Sequence, residues 1–459
     1  MNAYLLIDFG STYTKLTAVD IDAKELLGTA SHFTTVNTDI RIGYHHALEQ
    51  LSNKIGNLKF NKIIACSSAA GGLKMAAVGL VEELTVEAAK RACYGAGGKV
   101  DLVFSHFLTL SEVNLIKERK IDIVLLAGGT DGGNSEVVIH NAKMLSSSNL
   151  NIPIIYAGNK SCQDEISEIF SKYNVKGFIC DNIMPKLNVL NIEKAKDIVR
   201  TIFLENIIAA KGIKQIESEI DAVMLPTPFA VLKAAELLSK GYLHEEGLGE
   251  LVISDVGGAT TDIYSLGYGY PKRADVVLKG LEEPYAKRTV EGDLGMRYSA
   301  FGVLDSLTDQ EIALNLENGI DIKKEAQFRR EHVDMVAMTP KEKQVDRLFG
   351  EICHDVAMSR HVGKMELAYT PMGLLYYQTG KDLTQASYVI GTGGIVIHDY
   401  NPKEILMKLC NDQKKLLELR PNNPQFLIDK HYILSAMGLL SIDHPEIALK
   451  IMKGSLEKI

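Results

Sequence analysis

The sequence predicts an α/β protein. Short β-branched or aliphatic runs that end in glycine or small polar residues recur from one end of the chain to the other, and helical periodicity follows each of them. The length sets the scale: 459 residues, 46% hydrophobic, suffice for about three domains with a sizeable core.

The clearest strands are Tyr4–Ile7, Lys62–Cys66, Ile121–Leu126, Ile152–Tyr156, Gly177–Cys180, Glu250–Ser254 and Ser387–Ile390. Amphipathic patterning predicts helices over Leu73–Glu83, Phe229–Leu238 and Leu434–Leu440. Between Lys99 and Lys214, successive strand, polar loop and helix units start at Ile121, Ile152 and Gly177. They read as an inserted α/β subdomain whose loops open at the carboxyl ends of a parallel sheet, where ligands usually bind. The stretch Asp305–Gln344, rich in charge and polar helix formers, reads as an exposed helical subdomain.

Composition narrows the function classes. Lys and Arg number 50 against 58 Asp and Glu, a net charge of −8, which argues against sequence-neutral nucleic-acid binding. Six scattered cysteines without C-x-x-C spacing argue against a disulfide framework or a zinc site. With neither a signal-peptide order nor an uncharged apolar run of membrane length, the expectation is a soluble cytoplasmic protein with reduced thiols.

Three loops carry chemistry. The first, Asp8-Phe9-Gly10-Ser11-Thr12-Tyr13-Thr14-Lys15, joins a strand to the apolar run Leu16–Val19 and reads as a hairpin turn. Gly10 lets a backbone approach an oxyanion, Ser11, Thr12 and Thr14 carry hydroxyls, and Lys15 adds positive charge. Asp8 can hold, through water, the magnesium of a nucleotide polyphosphate. Taken alone, an ordinary polar hairpin explains the loop equally well. The second, Ile253–Tyr264, repeats its logic with Asp255, Gly257, Gly258, Thr260 and Thr261, so that two hairpins can clamp one Mg2+-polyphosphate. The third, Tyr388–Val396, is a buried strand ending in Gly391, Thr392, Gly393 and Gly394, small enough for a flat ring and ribose to pack on the backbone.

In this order the loops resemble the phosphate 1, phosphate 2 and adenosine motifs of the actin, Hsp70 and hexokinase ATPase superfamily. Pro226–Leu238 is similar to its first connecting helix and Tyr432–Ser441 to its second. The resemblance implies a two-lobed, duplicated ribonuclease-H-like fold with ATP and Mg2+ in the cleft, Asp8, Lys15 and Asp255 in catalytic roles, and Asp8 and Asp255 on the metal. It also implies a division into a first ATPase lobe (1–98), an insertion (99–214), the connecting helix (215–248), a second lobe (249–430) and C-terminal helices returning to the first lobe (431–459).

Further strings are narrower: CSSAAGGLKMAAVGLV from Cys66, LLAGGTDGGN from Leu125, RTVEGDLGMR from Arg288 and the GGATTD form of the second loop. Together they resemble the MutL family associated with glutamate mutase, unrelated to the mismatch-repair proteins of that name. This implies an ATP-dependent reactivating chaperone, possible in oligomeric form, whose client is an adenosylcobalamin-dependent mutase. Two other readings compete: an activator ATPase of a 2-hydroxyacyl-CoA dehydratase, which would need a cysteine-held iron–sulfur cluster, and a nucleotide-binding scaffold without turnover. Superfamily members that turn over ATP place an acidic or amide side chain in the first connecting segment, where Leu225 or Thr227 stands here, and the nearest carboxylate is Asp221. The expectation is an ATPase that is slow or partner-activated, not a small-molecule kinase.

Other features stay open in sequence. The loop Ala127–Asn134, at the same sheet end as Gly158-Asn159 and Asp181-Asn182, is either an anion site at a helix N-terminus or a tight crossover. Ser67–Gly72 lines the cleft or caps a helix. Glu291, Asp293 and Arg297 reach a ligand or decorate a helix surface. His354 and His361 are expected as core or solvated residues, not metal ligands.

Overall fold

The computed structural model describes residues 2–35, 39–68, 73–210, 216, 219–370 and 373–459. They divide into two compact units, one of Met1–Gly71, Gly212–Lys279 and Glu283–Ile459, the other of Gly72–Lys211 and Gly280–Glu282.

The first unit contains one arrangement twice. Ala3–Phe9 forms a hairpin with Tyr13–Asp20 in the register Asp8 to Lys15, and Glu25–Phe33 extends it antiparallel. On the other side of Ala3–Phe9, Lys62–Ser67 and then Ala222–Pro226 add in parallel. The second sheet follows suit: Leu251–Val256 pairs antiparallel with Thr261–Leu266, which pairs with Ala286–Glu291, while Tyr388–Thr392 and Gln425–Asp429 add in parallel. Only the edge strand Leu456–Lys458 is extra. This repeated order is the duplicated ribonuclease-H-like fold of the actin, Hsp70 and hexokinase type.

The helices Thr227–Lys240 and Leu434–Leu440 share one apolar cluster with both sheets, including Leu6, Ile64, Phe229, Ala230, Ile253, Ile390 and Met437. Pro228 suits the first turn of the longer helix, and Gly241 terminates it. The helices touch backbone to backbone. A Cβ at Gly438 would lie 1.8 Å from the Ala230 carbonyl oxygen, so only glycine permits the approach.

The stretch Asp305–Gln344 is helical in large part, but it is not a separate exposed subdomain. Ile320, Ile322 and Ala326 are buried in a second cluster with Val252, Ile263 and Val389 of the second sheet and Phe349 of helix Pro340–His361. Capping boxes at Thr308/Glu311 and Thr339/Glu342 start two of its helices.

The other unit is a five-stranded parallel sheet of Lys74–Gly79, Lys99–Ser105, Ile123–Leu126, Ile154–Tyr156 and Gly177–Ile179, in the spatial order second, first, third, fourth, fifth. It starts earlier than the expected boundary at Lys99, because the strand before that point, Lys74–Gly79, is an interior strand of the sheet, paired on both sides. That strand replaces the helix expected over Leu73–Glu83, and a π-helical turn, Glu82–Val86, follows it. Residues 75–79 are all buried, so a position between two neighbours overrides the helix propensity of Leu, Met and Ala. No helix among the described residues is long and apolar enough to cross a membrane.

Candidate functional site

Both hairpin turns face one cleft of about 870 Å3 in the first unit, a volume suited to a nucleotide-sized ligand. Asp8, Gly10, Ser11, Thr12, Lys15, Asp255, Gly257, Gly258, Thr260 and Gly394 line it. The first turn closes by Gly10 N–H donating to Tyr13 O at 3.0 Å, the second by Gly257 N–H donating to Thr260 O at 2.9 Å. The turns are close: an ideal Cβ at Gly258 lies 3.8 Å from Thr12 Oγ1. Gly393, at φ 94°, brings the third loop against the second, since a Cβ there would stand 2.6 Å from Val256 O and 3.0 Å from Asp255 Oδ1.

Three carboxylates gather here under the influence of the Lys15 ammonium. Asp8 is buried and surrounded by donors: Thr227 Oγ1 donates to Oδ1 at 2.6 Å, Ser435 Oγ to Oδ2 at 3.1 Å and Cys66 Sγ to Oδ1 at 3.6 Å, and Lys15 Nζ lies 3.5 Å from Oδ2. Asp255 keeps some exposure to the cleft, and among the described residues its carboxylate accepts only the Tyr432 hydroxyl, at 3.2 Å. Burial pushes its carboxyl up to about 6, with Lys15 pulling the other way. Asp429 ends the strand beside the third loop. It accepts Ile433 N–H and Leu434 N–H, each at 3.1 Å, and Thr392 Oγ1 at 3.4 Å, and burial raises its carboxyl.

The donor set fits Mg2+, a hard cation that keeps most of its waters and takes one or two carboxylates. Asp8 and Asp255 are the carboxylates available for it, and among the described residues no three His, Cys, Asp or Glu side chains are placed to hold a metal ion together.

Four of the expected ligand residues face away from the cleft or are engaged elsewhere. Thr14 is buried against Thr34, Oγ1 to Oγ1 at 3.1 Å, and Thr261 Oγ1 donates to Leu294 O at 3.0 Å. Gly391 faces Val396 and Leu406, and Thr392 is bound to Asp429. Arg297 lines the cleft and forks onto Asp346 at 3.1 and 2.8 Å, whereas Glu291 and Asp293 are both held by Arg360. Asp221 is occupied with Ile63 N–H at 2.6 Å.

In the other unit the polar groups around Ala127–Asn134 satisfy one another. Asn159 accepts Gly132 N–H at 3.0 Å, Asn182 donates to Gly129 O at 3.0 Å and Asp131 at 2.9 Å, and Asp131 accepts Lys160 N–H at 3.0 Å. That is the bonding of a tight crossover. Ser68 lines the cleft, while Ala69–Gly72 lie outside the described residues. His354 and His361 are core residues: His354 Nδ1 donates to Gly350 O at 2.7 Å, and His361 bonds Thr289 and Ser265, each at 2.8 Å. All six cysteines are free and buried, and burial pushes the Cys180, Cys353 and Cys410 thiols each up to about 12.

Sequence reasoning missed Asp429, Asp262, Tyr432 and Ser435 as site residues. Asp262 is buried, with Arg288 Nε donating to it at 2.8 Å. Asp429 was recoverable as an aspartate at a strand end just before a helix. Tyr432 and Ser435 carry no signal in sequence beyond their place in the second connecting segment.

Residues 4–456 match the profile of the family described as MutL protein. Protein MutL of Clostridium tetanomorphum is 51% identical over 462 residues, with 100% of each chain covered. Among solved structures, a nucleotide-free acetone carboxylase matches at 13% identity over 95% of this chain and 70% of that one, with a TM-score of 0.44. A glycerol dehydratase reactivase matches at 10% identity over 96% and 99%, with a TM-score of 0.37. Likenesses that distant carry no argument about activity. The family profile and the relative matched over its whole length show the family: the chain belongs to the MutL family, the one associated with glutamate mutase and not with mismatch repair.

Proposed function

We propose that this chain is an ATP-binding, slowly hydrolysing reactivating chaperone for an adenosylcobalamin-dependent mutase, with glutamate mutase as the client. The observation that carries the reading is the pair of aspartate hairpins, one from each half of a duplicated fold, facing a single cleft with Lys15 acting on both carboxylates. Asp8 and Asp255 would hold Mg2+ through water, and Lys15, Ser11, Thr12 and Thr260 would bind the polyphosphate. Bound Mg2+-ATP supplies the charge that draws the hairpins together and the phosphoanhydride whose cleavage lets them part.

Leu225 or Thr227 stands where a nucleophile-orienting acid or amide is expected, and the Thr227 hydroxyl is already committed to Asp8. A hydroxyl is no general base, so hydrolysis is slow until a client docks. A damaged cobalamin held tightly by its mutase leaves slowly, and only a difference in affinity between the nucleotide states of the chaperone can move the mutase toward an open form. Inverting a 99:1 population takes about 5.5 kcal/mol.

The same Thr227 favours a second reading, a nucleotide-binding scaffold without turnover. One experiment separates the two: ATP hydrolysis by the purified protein with Mg2+, alone and with inactivated glutamate mutase, while release of damaged cobalamin is followed. The chaperone reading expects little turnover alone, and stimulated hydrolysis coupled to release. Binding without cleavage in either arm selects the scaffold, and fast turnover by the isolated chain overturns the slow-hydrolysis assignment.

A further inference from the structure

Tyr432 stands where the two hairpins meet. Its backbone lies in the left-handed region at φ 55°, a conformation that a bulky side chain keeps only where the surroundings over-determine it. Here Asp429 does so. Its carbonyl accepts Tyr432 N–H at 3.0 Å, and its buried carboxylate accepts the next two N–H groups. The turn thereby sets the ring into the cleft, where the Lys15 ammonium lies 3.3 Å from the ring centroid and the phenol hydroxyl donates to Asp255 Oδ1 at 3.2 Å. One side chain of the second connecting segment thus engages the cation of the first hairpin and the carboxylate of the second.

Those are two of the groups a magnesium–triphosphate would need. A ring that close covers one side of the ammonium, and the phenol hydrogen takes a lone pair of Oδ1 that a cation or its water would use. We propose that Tyr432 is a positioning residue that latches the cleft shut to magnesium–triphosphate, and that it must leave Lys15 and Asp255 for that ligand to bind. The departing ring pulls on the turn Asp429–Ser435, whose far end is fixed by Ser435 Oγ on Asp8 at 3.1 Å and from which the second connecting helix starts. The latch is therefore also the first link by which the ligand reaches that helix. The inference rests on the nucleotide reading of the cleft.

Titration calorimetry on the full chain tests it, with a non-hydrolysable ATP analogue plus Mg2+ in one arm and ADP without metal in the other, for the wild type, Tyr432→Phe and Tyr432→Leu. A latch reduces apparent affinity by the fraction of molecules it keeps closed, so Tyr432→Phe, which loses one hydrogen bond, is expected to bind the magnesium analogue about fivefold tighter. Tyr432→Leu, which also frees Lys15, should bind it tighter still. With Tyr432→Phe, which frees only Asp255, binding of metal-free ADP should change less than about twofold, a selectivity that a general loosening of the fold does not produce. Unchanged or weaker binding of the magnesium analogue by Tyr432→Phe overturns the latch and makes the ring a support that holds Lys15 in place. Should Tyr432→Leu unfold, Tyr432→Phe, which keeps the ring, decides alone. If the wild type binds neither ligand, the nucleotide reading falls and the latch with it; if it binds and Tyr432→Phe gains nothing, only the latch falls.

Discussion

Asp8 and Asp255 occupy equivalent places in the two repeated sheets, each in the strand before a glycine turn, yet they sit in unlike surroundings. Asp8 is buried under two hydroxyls, a thiol and an ammonium. Asp255 has one phenol and a desolvated carboxyl raised to about 6. Duplication has reproduced the backbone while the side chains that face it have diverged. The difference traces to the connecting helices: Thr227 and Ser435, near the start of each, both point at Asp8, and neither points at Asp255. The first half therefore offers a site finished by its own scaffold, and the second offers one that a ligand has to complete.

Removing either carboxylate should have the largest effect and should not separate the halves. Asp8→Ala and Asp255→Ala are each expected to lower client-stimulated hydrolysis by about 10² to 10³-fold, measured as phosphate release. Stability should separate them. His354 and His361 sharpen the contrast first, because both belong to the second half and are buried neutral: burial holds His354 down at about 4 and His361 well below its ordinary value. A depressed folded pKa gives stability that is complete above the unfolded value of 6.5 and is lost as pH falls toward 4. The loss should be on the order of 3 kcal/mol for His354, read from denaturant midpoints across that window, and His354→Asn should flatten it. Next, Asp8→Ala should destabilise by about 2 kcal/mol, since it orphans the Thr227 and Ser435 hydroxyls, whereas Asp255→Ala should be neutral or stabilising because it removes a desolvated charge. Equal melting shifts for the two variants would erase the contrast. A smaller loss than that of Asp8→Ala is expected for Thr227→Val, about 1 kcal/mol, because Ser435 and Lys15 remain on Asp8.

Much of this was readable beforehand because it is local. A β-branched run, an aspartate, a glycine and hydroxyls fix a strand and a turn within a dozen residues, and both hairpins and the strand Tyr388–Thr392 formed where the pattern put them. Leu73–Glu83 failed because its apolar residues fit a buried strand and a buried helix alike, and the neighbours that decided are far away in the chain. Within the loops, the motif did not tell which hydroxyl faces the cleft. Thr12 and Thr14 are two residues apart in one turn, yet one lines the cleft and the other bonds Thr34. Tyr432 was harder still, since its meaning comes only from contacts with residues such as Lys15 and Asp255, remote in sequence.

Gly438 and Ala230 leave no side chain between their two helices. Packed side chains can slip a rotamer and let helices slide, but two backbones in contact have nothing to rearrange. Relative movement of these helices is then restricted to rotation about that point, as in a pair of scissors. A rivet so close to Asp8 gives the cleft a short arm and the outer edges of the sheets a long one, so that a sub-ångström adjustment at Thr227 or Ser435 becomes a displacement several times larger at those edges.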